Sequence, residues 1–166
     1  AGLIHRTHAT SASGLPLHAQ RSDKKFKLLM LDVGLLQRAN RVDAATFFSE
    51  EILQVDRGRV AEQFVGQELL AYSGFYEDRD LYFWERAARS SSTEVDYVLQ
   101  VDAKIVTVEV KAGNTGRFHS LRRFMDEKRC PIGIRISEAP LSLEGGILSL
   151  PLYLIGQLPR LLKEAL

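Results

Sequence analysis

Four positions hold residue types that could do metal-dependent chemistry together: Glu62, Asp96, Glu109 and Lys111. Glu109 and Lys111 stand two positions apart in the β-branched run 104–111, so in a strand their side chains point to the same face. Asp96 lies near the start of the preceding strand candidate, and Glu62 lies one turn into the helical pattern before both. We therefore expect Asp96 and Glu109 to share one divalent ion, with Glu62 approaching from the helix.

The chemistry of this set is that of a hard cation bound by oxygen. Carboxylates, carbonyls and waters favour Mg²⁺ or Mn²⁺, and the carbonyl of Val110 is expected to face the space between the two strands. The predicted metal ligands are Glu62, Asp96, Glu109 and Val110. Lys111 would orient or help activate a water for attack on a phosphodiester and offset charge in the transition state.

The elements that must position these residues follow in the order helix, three strands, helix, strand. A helix over 56–72 has an apolar stripe at helical spacing, and a second helix over 117–128 is amphipathic. The order predicts an α/β domain whose sheet is covered by helices on both faces. The predicted strands are 81–84, 94–101, 104–111 and 132–136.

The two ends of the chain have patterns of their own. Two strands over 1–8 and 26–31 are expected to form a hairpin, because the segment between them is rich in Ser, Gly and Pro. At the other end, 147–154 is apolar, and 155–166 is predicted to be a closing helix interrupted by Pro159.

Composition excludes several classes of protein. The chain has 166 residues, 45% hydrophobic and 26% charged, which excludes a disordered, collagen-like or disulfide-rich protein. Its single cysteine, Cys130, cannot form an internal disulfide, which favours a reducing compartment, and we expect a cytoplasmic location. The longest apolar stretch, 146–156, is far short of the ~20 residues that span a bilayer, so no membrane partner is expected. The first residues already resemble ordered structure, so we expect a fragment of a longer chain.

Charge is unevenly distributed, with a net of +5 over 1–41, −8 over 42–103 and +4 over 104–166. An acidic middle between basic ends suits a carboxylate-rich site between basic surfaces, and it equally suits charges scattered over a solvated surface. The basic helix face has the same two interpretations, phosphate contacts or a solvated face. Its predicted nucleic-acid-binding residues are Arg117, Arg122, Arg123 and Lys128.

Three other residues have two interpretations each. Glu94 shares the predicted face of Asp96, and an exposed surface carboxylate is favoured over a supporting role in the site. Glu68 lies in the apolar stripe of the first helix, where a buried pairing with an Arg or a backbone amide is favoured over a metal role. Trp84, in an aromatic strand, is favoured as a core residue over a stacking platform for bases.

A helix Glu, an Asp and a Glu-x-Lys on consecutive elements resemble the signature of the PD-(D/E)XK nuclease superfamily. The closer resemblance is to the C-terminal domain of prokaryotic AAA-type ATP-binding proteins of unassigned function, and it covers nearly the whole chain. One departure is Val95, which stands where the signature has Pro. The matching segments, quoted from the sequence, are Lys27-Leu-Leu-Met-Leu-Asp32-Val-Gly34-Leu35, Glu62-x-Phe64-Val65, Leu81-Tyr82-Phe83-Trp84, Glu94-Val95-Asp96-Tyr97-Val98-Leu99, Val108-Glu109-Val110-Lys111-Ala112-Gly113 and Leu148-Ser149-Leu150-Pro151.

The resemblance implies a restriction-endonuclease-like mixed central sheet flanked by helices, with an N-terminal hairpin left from a winged-helix-like segment. It implies a division into a hairpin and linker over 1–50 and a nuclease-like domain over 51–166. The resemblance also implies that an ATPase domain lies upstream. No Gly-x-x-x-x-Gly-Lys-Ser/Thr phosphate loop occurs here, so we expect no ATP site in this sequence.

The function expected from these observations is metal-dependent phosphodiester hydrolysis, with DNA as the substrate. One alternative is a catalytically inactive module that serves the ATPase in nucleic-acid binding or partner docking. A second alternative is a toxin–antitoxin-like or regulatory interaction module with no nucleic-acid role. The sequence leaves the oligomeric state open.

Overall fold

The computed structural model describes residues 2–40, 53–72, 80–86, 93–111, 113 and 118–166, without the side chains of 53–56. The described strands form one eight-stranded mixed sheet, and four α-helices accompany it. The strands are β1 (Ile4–Thr10), β2 (Arg21–Met30), β3 (Leu81–Arg86), β4 (Thr93–Val101), β5 (Lys104–Val110), β6 (Gly133–Ser137), β7 (Ser142–Glu144) and β8 (Ile147–Pro151). The helices are α1 (Val33–Ala39), α2 (Leu53–Ala71), α3 (His119–Lys128) and α4 (Leu158–Ala165), with short 3₁₀ helices at Leu17–Gln20 and Leu152–Gln157.

The order of strands across the sheet is β2-β1-β3-β4-β5-β6-β8-β7. Strands β3, β4 and β5 form an antiparallel meander, whereas β5, β6 and β8 run parallel to one another. Helix α3 makes the crossover from β5 to β6, as a parallel pair requires. The turn between β4 and β5 is tight, and Asp102 there has a φ of 52°, a left-handed conformation that Asp tolerates better than most residues.

Each face of the sheet packs against its own helices. Alternate residues of β5, such as Val106 and Val108, join the core under α2 and α4, which includes Val65 and Leu162. The opposite face, with Trp84, packs under α3 through a smaller core. This alternation is the expected consequence of the two-residue period of a strand whose two faces are both buried.

The N-terminal hairpin extends the same sheet. Strand β1 pairs antiparallel with β2 and parallel with β3, so β2 becomes an edge strand. Leu29 of β2 lies in the core under α2, and Leu17 of the connecting segment lies in the core under α3. The boundary predicted at residue 50 lies outside the described residues, and the winged-helix-like origin of the hairpin stays a prediction.

The mixed sheet with helices on both faces is confirmed, and most element boundaries agree within a few residues. The prediction for 155–166 was wrong in one respect, because Pro159 does not interrupt a helix. It lies in the first turn of α4, where a backbone N–H would have no partner within the helix. The short strand β7 is not predicted, because three residues carry too little pattern. No helix among the described residues is long and apolar enough to cross a membrane.

Candidate metal and phosphodiester site

Asp96 lies where β4 separates from β5. The antiparallel pairing of these strands ends at Tyr97 and Val108, and on its other side the pairing of β4 with β3 shifts register by one residue. Such a β-bulge bends a strand and redirects its side chains. The Asp96 carboxylate accepts a hydrogen bond from the backbone N–H of Val110 at 2.7 Å. Beyond the last backbone pair of β4 and β5, the Asp96 side chain is therefore the group on β4 that accepts the hydrogen bond of the Val110 N–H.

Three carboxylates meet at this point and form what we call the acidic cluster. Glu62 of α2, Glu94 of β4 and Asp96 each place a carboxylate oxygen within 4.8 Å of the other two, and all three residues are half-buried. Carboxylates this close repel one another unless cations or protons compensate their charge. The cluster is therefore a place where a cation is stabilised.

Helix α2 is held in the register that brings Glu62 to the cluster. The hydroxyl of the buried Tyr97 donates a hydrogen bond to the backbone carbonyl of Glu62 at 2.8 Å. One turn further on, Gly66 lets the helix approach the sheet, because a Cβ there would lie only 2.5 Å from the Tyr97 hydroxyl oxygen. The close approach of α2 to β4 thus depends on the absence of a side chain at this position.

An ammonium group already lies among these carboxylates. Lys27 of strand β2 places Nζ 3.0 Å from Oε1 of Glu62 and in direct contact with Oε1 of Glu94. The same Nζ lies 5.1 Å from the centre of the Phe83 ring, within the range of a cation–π interaction. Lys27 is therefore bound from three sides.

Glu109 and Lys111 form a second charged group at the end of β5. Glu109 is only 3% exposed, and its Oε1 lies 2.6 Å from Nζ of Lys111. Its other oxygen, Oε2, is buried without a hydrogen-bond partner among the described residues. Because Val108 and Val110 face α2, alternation turns Glu109 toward the opposite face, where the buried Arg135 is its register partner on β6. The structure therefore does not bring Glu109 into the acidic cluster, which the predicted sharing of one ion with Asp96 would require.

The pKa values of two of these carboxyl groups are raised. Burial, followed by the charges of Glu62 and Glu109, raises the pKa of Asp96 to about 7, although the Val110 N–H and Lys27 oppose the shift. Burial also raises the pKa of Glu109, because the hydrogen bond and charge of Lys111 offset only part of the effect. Asp96 and Glu109 therefore influence each other electrostatically, although the closest carboxylates to Asp96 are those of the acidic cluster.

Both lysines stay protonated at neutral pH. Burial lowers the pKa of Lys111, but the hydrogen bond and charge of Glu109 more than compensate, so the pKa is raised overall. Lys27 behaves in the same way, with Glu62 and Glu94 outweighing its burial. A lysine with a raised pKa is a source of positive charge rather than a base.

An open groove leads to Lys27 and Glu62. It runs between the hairpin and helix α2, and Thr7, Arg59 and Tyr97 are among its other lining residues. Arg59 is exposed, so its guanidinium is accessible from this groove. The acidic cluster is therefore reached along a path that carries positive charge.

The basic helix face is only partly available for phosphate contacts. Arg122 is exposed on α3, whereas Nε of Arg123 lies 3.3 Å from Oε1 of Glu127. Nζ of Lys128 lies 5.9 Å from the centre of the Trp84 ring. Arg117 lies outside the described residues.

The structure decides the three open residue roles. Glu68 accepts a hydrogen bond from the Tyr72 hydroxyl at 3.2 Å, which is a structural pairing although the partner is neither Arg nor a backbone amide. Trp84 is a core residue, 4% exposed and packed edge-on against Phe124. The favoured interpretation of Glu94 as an exposed surface carboxylate was wrong, because Glu94 is half-buried and its carboxylate lies in the acidic cluster.

Two contributors were missed by sequence reasoning. The two-residue spacing between Glu94 and Asp96 was a usable signal, since both belong to one face of a strand. Lys27 gave no such signal, because it lies in a hairpin 35 residues before Glu62 in the sequence. Only the pairing of β1 with β3 brings that hairpin beside α2.

Comparison with known proteins gives a family and nothing finer. Residues 57–155 match the family described as a domain of unknown function, DUF4143. No curated protein and no solved structure matches the chain. The matched segment includes Glu62, Asp96, Glu109 and Lys111, whereas the hairpin that carries Lys27 precedes it. Because the match covers more than half of its residues, the chain belongs to the DUF4143 family.

Proposed function

We propose that this chain is a metal-dependent nuclease domain of the restriction-endonuclease-like type that hydrolyses phosphodiester bonds in DNA. The observation that carries the proposal is the carboxylate of Asp96, which is fixed by the Val110 N–H at the point where β4 and β5 part and is surrounded by further carboxylates. The succession α2, β3, β4, β5, α3, β6 supports it, because that order matches the resemblance described above.

The side chains at this point fit a divalent cation bound by oxygen. Glu62 and Asp96 offer clustered carboxylate oxygens on the side of the sheet that faces α2. The N–H of Val110 points toward Asp96, and in an extended strand the carbonyl of the same residue points to the same side. Glu62, Asp96 and the carbonyl of Val110 are the ligands we propose for Mg²⁺ or Mn²⁺, whereas Glu109 faces the other side of β5 and holds Lys111.

The protein's own groups supply the remaining parts of the chemistry. A bound divalent ion would polarise the phosphodiester and lower the pKa of a water molecule. Lys111, held by Glu109, contributes a fixed positive charge that stabilises the charge developing on the phosphate oxygens. Because the pKa of Lys111 is raised, its role is electrostatic and the proton of the attacking water must be accepted elsewhere.

The substrate is proposed to contact two basic surfaces, the groove beside the cluster and helix α3 on the opposite face of the sheet. Arg59 in the groove and Arg122 on α3 are exposed and can neutralise phosphates without leaving a buried partner. The larger protein is proposed to be an AAA-type ATPase with this domain at its C-terminal end.

The experiment is a cleavage assay with plasmid, junction and single-stranded DNA in millimolar Mg²⁺ or Mn²⁺. We expect cleavage by the wild-type chain and a loss of about 10³-fold or more in Asp96→Asn, which removes a ligand charge and keeps the side-chain shape. Asp102→Asn makes the same substitution in the exposed turn after β4 and serves as the matched control. Equal cleavage by wild type and Asp96→Asn would contradict the proposal.

A second candidate is a catalytically inactive module for nucleic-acid binding or partner docking by the ATPase. The observation that favours it is Lys27, because an ammonium group already compensates part of the charge of the acidic cluster. Under this alternative, neither Mg²⁺ nor Mn²⁺ changes the melting temperature, and no DNA is cleaved.

A further inference from the structure

Lys27 differs from an ordinary surface lysine in how firmly it is held. Its ammonium group contacts two carboxylates and an aromatic ring, and only 31% of its side chain is exposed. Surface ion pairs stabilise little because both side chains are mobile and solvated. Here the backbone of β2 fixes one end of the side chain, and the acidic cluster fixes the other.

Strand β2 is itself attached to α2 beside the cluster. The buried side chain of Gln63 donates to the carbonyl of Met30 at 2.6 Å and accepts from the N–H of the same residue at 3.0 Å. Gln67 donates to the carbonyl of Leu31, one position further along. The outer side of an edge strand has backbone N–H and carbonyl groups without a neighbouring strand. At the end of β2, the side chains of Gln63 and Gln67 bond to such groups. The hairpin therefore presents Lys27 at a constant position.

The oxygens that hold Lys27 include those that a divalent ion would need. Glu62 is a proposed ligand, and Glu94 lies within the same 4.8 Å cluster. A carboxylate oxygen engaged by an ammonium group is less available to a metal, and a positive charge at 3 Å opposes the approach of a second cation.

We propose that Lys27 is the resident counter-ion of the acidic cluster and competes with the divalent cation for Glu62 and Glu94. This inference rests on the proposed metal site and adds how its affinity is set. The carboxylates and Lys111 belong to the family-matched segment, whereas the competing charge comes from the hairpin before it. The hairpin thus sets the cation concentration at which the site fills.

The test is the affinity for Mn²⁺, measured by titration calorimetry on the whole chain. Lys27→Met keeps the aliphatic stem and removes the charge, and we expect it to bind Mn²⁺ about tenfold more tightly than wild type. Lys25→Met is the matched control, because Lys25 lies two residues away on the same strand and pairs with Glu85 outside the cluster. The control is expected to bind Mn²⁺ like wild type.

The outcomes separate this inference from the proposed function. Equal or weaker affinity in Lys27→Met, with binding abolished in Asp96→Asn, would overturn the competition and leave the metal site standing. Absence of Mn²⁺ binding in wild type and in Lys27→Met alike would overturn both. Tight binding in Lys27→Met with weak binding in wild type supports the inference even if no DNA is cleaved.

A second measurement does not depend on the folding of Lys27→Met. The ammonium resonance of Lys27 is followed by NMR in the wild-type chain and assigned by its loss in Lys27→Arg. Saturating Mg²⁺ is expected to displace the ammonium group from the carboxylates. The resonance should then change its chemical shift, or broaden because its protons exchange rapidly with water. A resonance unchanged at saturating Mg²⁺ would overturn the proposal.

Discussion

The N-terminal hairpin and the central strand β5 each bring one lysine to the surroundings of Asp96, and they hold it in opposite ways. Lys27 comes from an edge strand and meets the half-buried carboxylates of Glu62 and Glu94. Lys111 comes from the end of a central strand and meets Glu109, which is almost fully buried. The two ion pairs therefore differ in exposure and in the number of carboxylates they engage.

The two lysines differ in how easily another cation can replace their charge. Removal of Lys111 is costly, because it would leave the charge of the buried Glu109 carboxylate uncompensated. The carboxylates that hold Lys27 are about a third exposed, so another cation can replace its charge at a smaller cost. We accordingly propose the electrostatic role in catalysis for Lys111 and the competing role for Lys27.

The largest effect is expected at the central strand. Lys111→Ala should retain Mn²⁺ binding, since Lys is not a ligand, and should reduce cleavage about 10²-fold because its charge stabilisation is lost. Cleavage rate and Mn²⁺ affinity are measured on the same preparation. Lys104→Ala, at the other end of β5, should leave both unchanged. A Lys111→Ala variant that cleaves at the wild-type rate would break the distinction between the two lysines.

A substitution where the two regions meet tests the position of α2. A Cβ at Gly66 would lie 2.5 Å from the Tyr97 hydroxyl on β4 and 2.7 Å from Cδ1 of Leu29 on the hairpin. Gly66→Ala should therefore lower the free energy of unfolding by about 2 kcal/mol, as overpacking does. Gly58→Ala in the same helix meets nothing within 4 Å and should raise it by about 0.5–1 kcal/mol. Denaturant unfolding of both variants checks the sign, and a stabilised Gly66→Ala would contradict the close approach.

The pH dependence of stability tests the charge balance at Asp96. Its pKa is raised from 3.8 to about 7, so the native state keeps a proton that the unfolded chain releases. The contribution of Asp96 to the free energy of unfolding is therefore greatest below about pH 4 and decreases as the pH rises to 7, by at most about 1.4 kcal/mol per unit.

This contribution is the difference between wild type and Asp96→Asn, measured by denaturant unfolding without metal from pH 4 to pH 8. Because Lys27 lowers the pKa of Asp96, Lys27→Met should extend the decrease above pH 7. A difference between wild type and Asp96→Asn that does not change with pH would show that Asp96 is not crowded by charge.

The smallest effect is expected on the outer face of α3. For DNA binding, the logarithm of the association constant falls linearly with the logarithm of the salt concentration. Arg122→Ala should make this slope less steep by about 1, because one phosphate contact is lost. Arg123→Ala should change the slope less, since Arg123 already pairs with Glu127. DNA binding is measured in Ca²⁺-free buffer without Mg²⁺ or Mn²⁺, and equal slopes for wild type and Arg122→Ala would assign this face to solvent.

The central strands and the contact between Glu109 and Lys111 were predictable because local pattern dictates them, whereas the predicted meeting of Glu109 with Asp96 is not seen. A β-branched run with a two-residue period specifies both the strand and which side chains share a face. The bulge at Asp96 was not predictable, because it depends on where β4 can pair with β5 and β3 at once. Lys27 was beyond sequence reasoning for the same reason, since a long-range strand pairing positions it.

The central claim is that the acidic cluster around Asp96 binds a divalent cation, and the melting temperature with and without millimolar Mn²⁺ tests it most directly. A ligand that binds only the native state raises the free energy of unfolding by RT ln(1 + [L]/Kd). Wild type is predicted to gain several degrees, and Asp96→Asn is predicted to gain none while melting at or above the metal-free wild-type temperature. An unchanged wild-type melting temperature, or an equal gain in Asp96→Asn, would contradict the account.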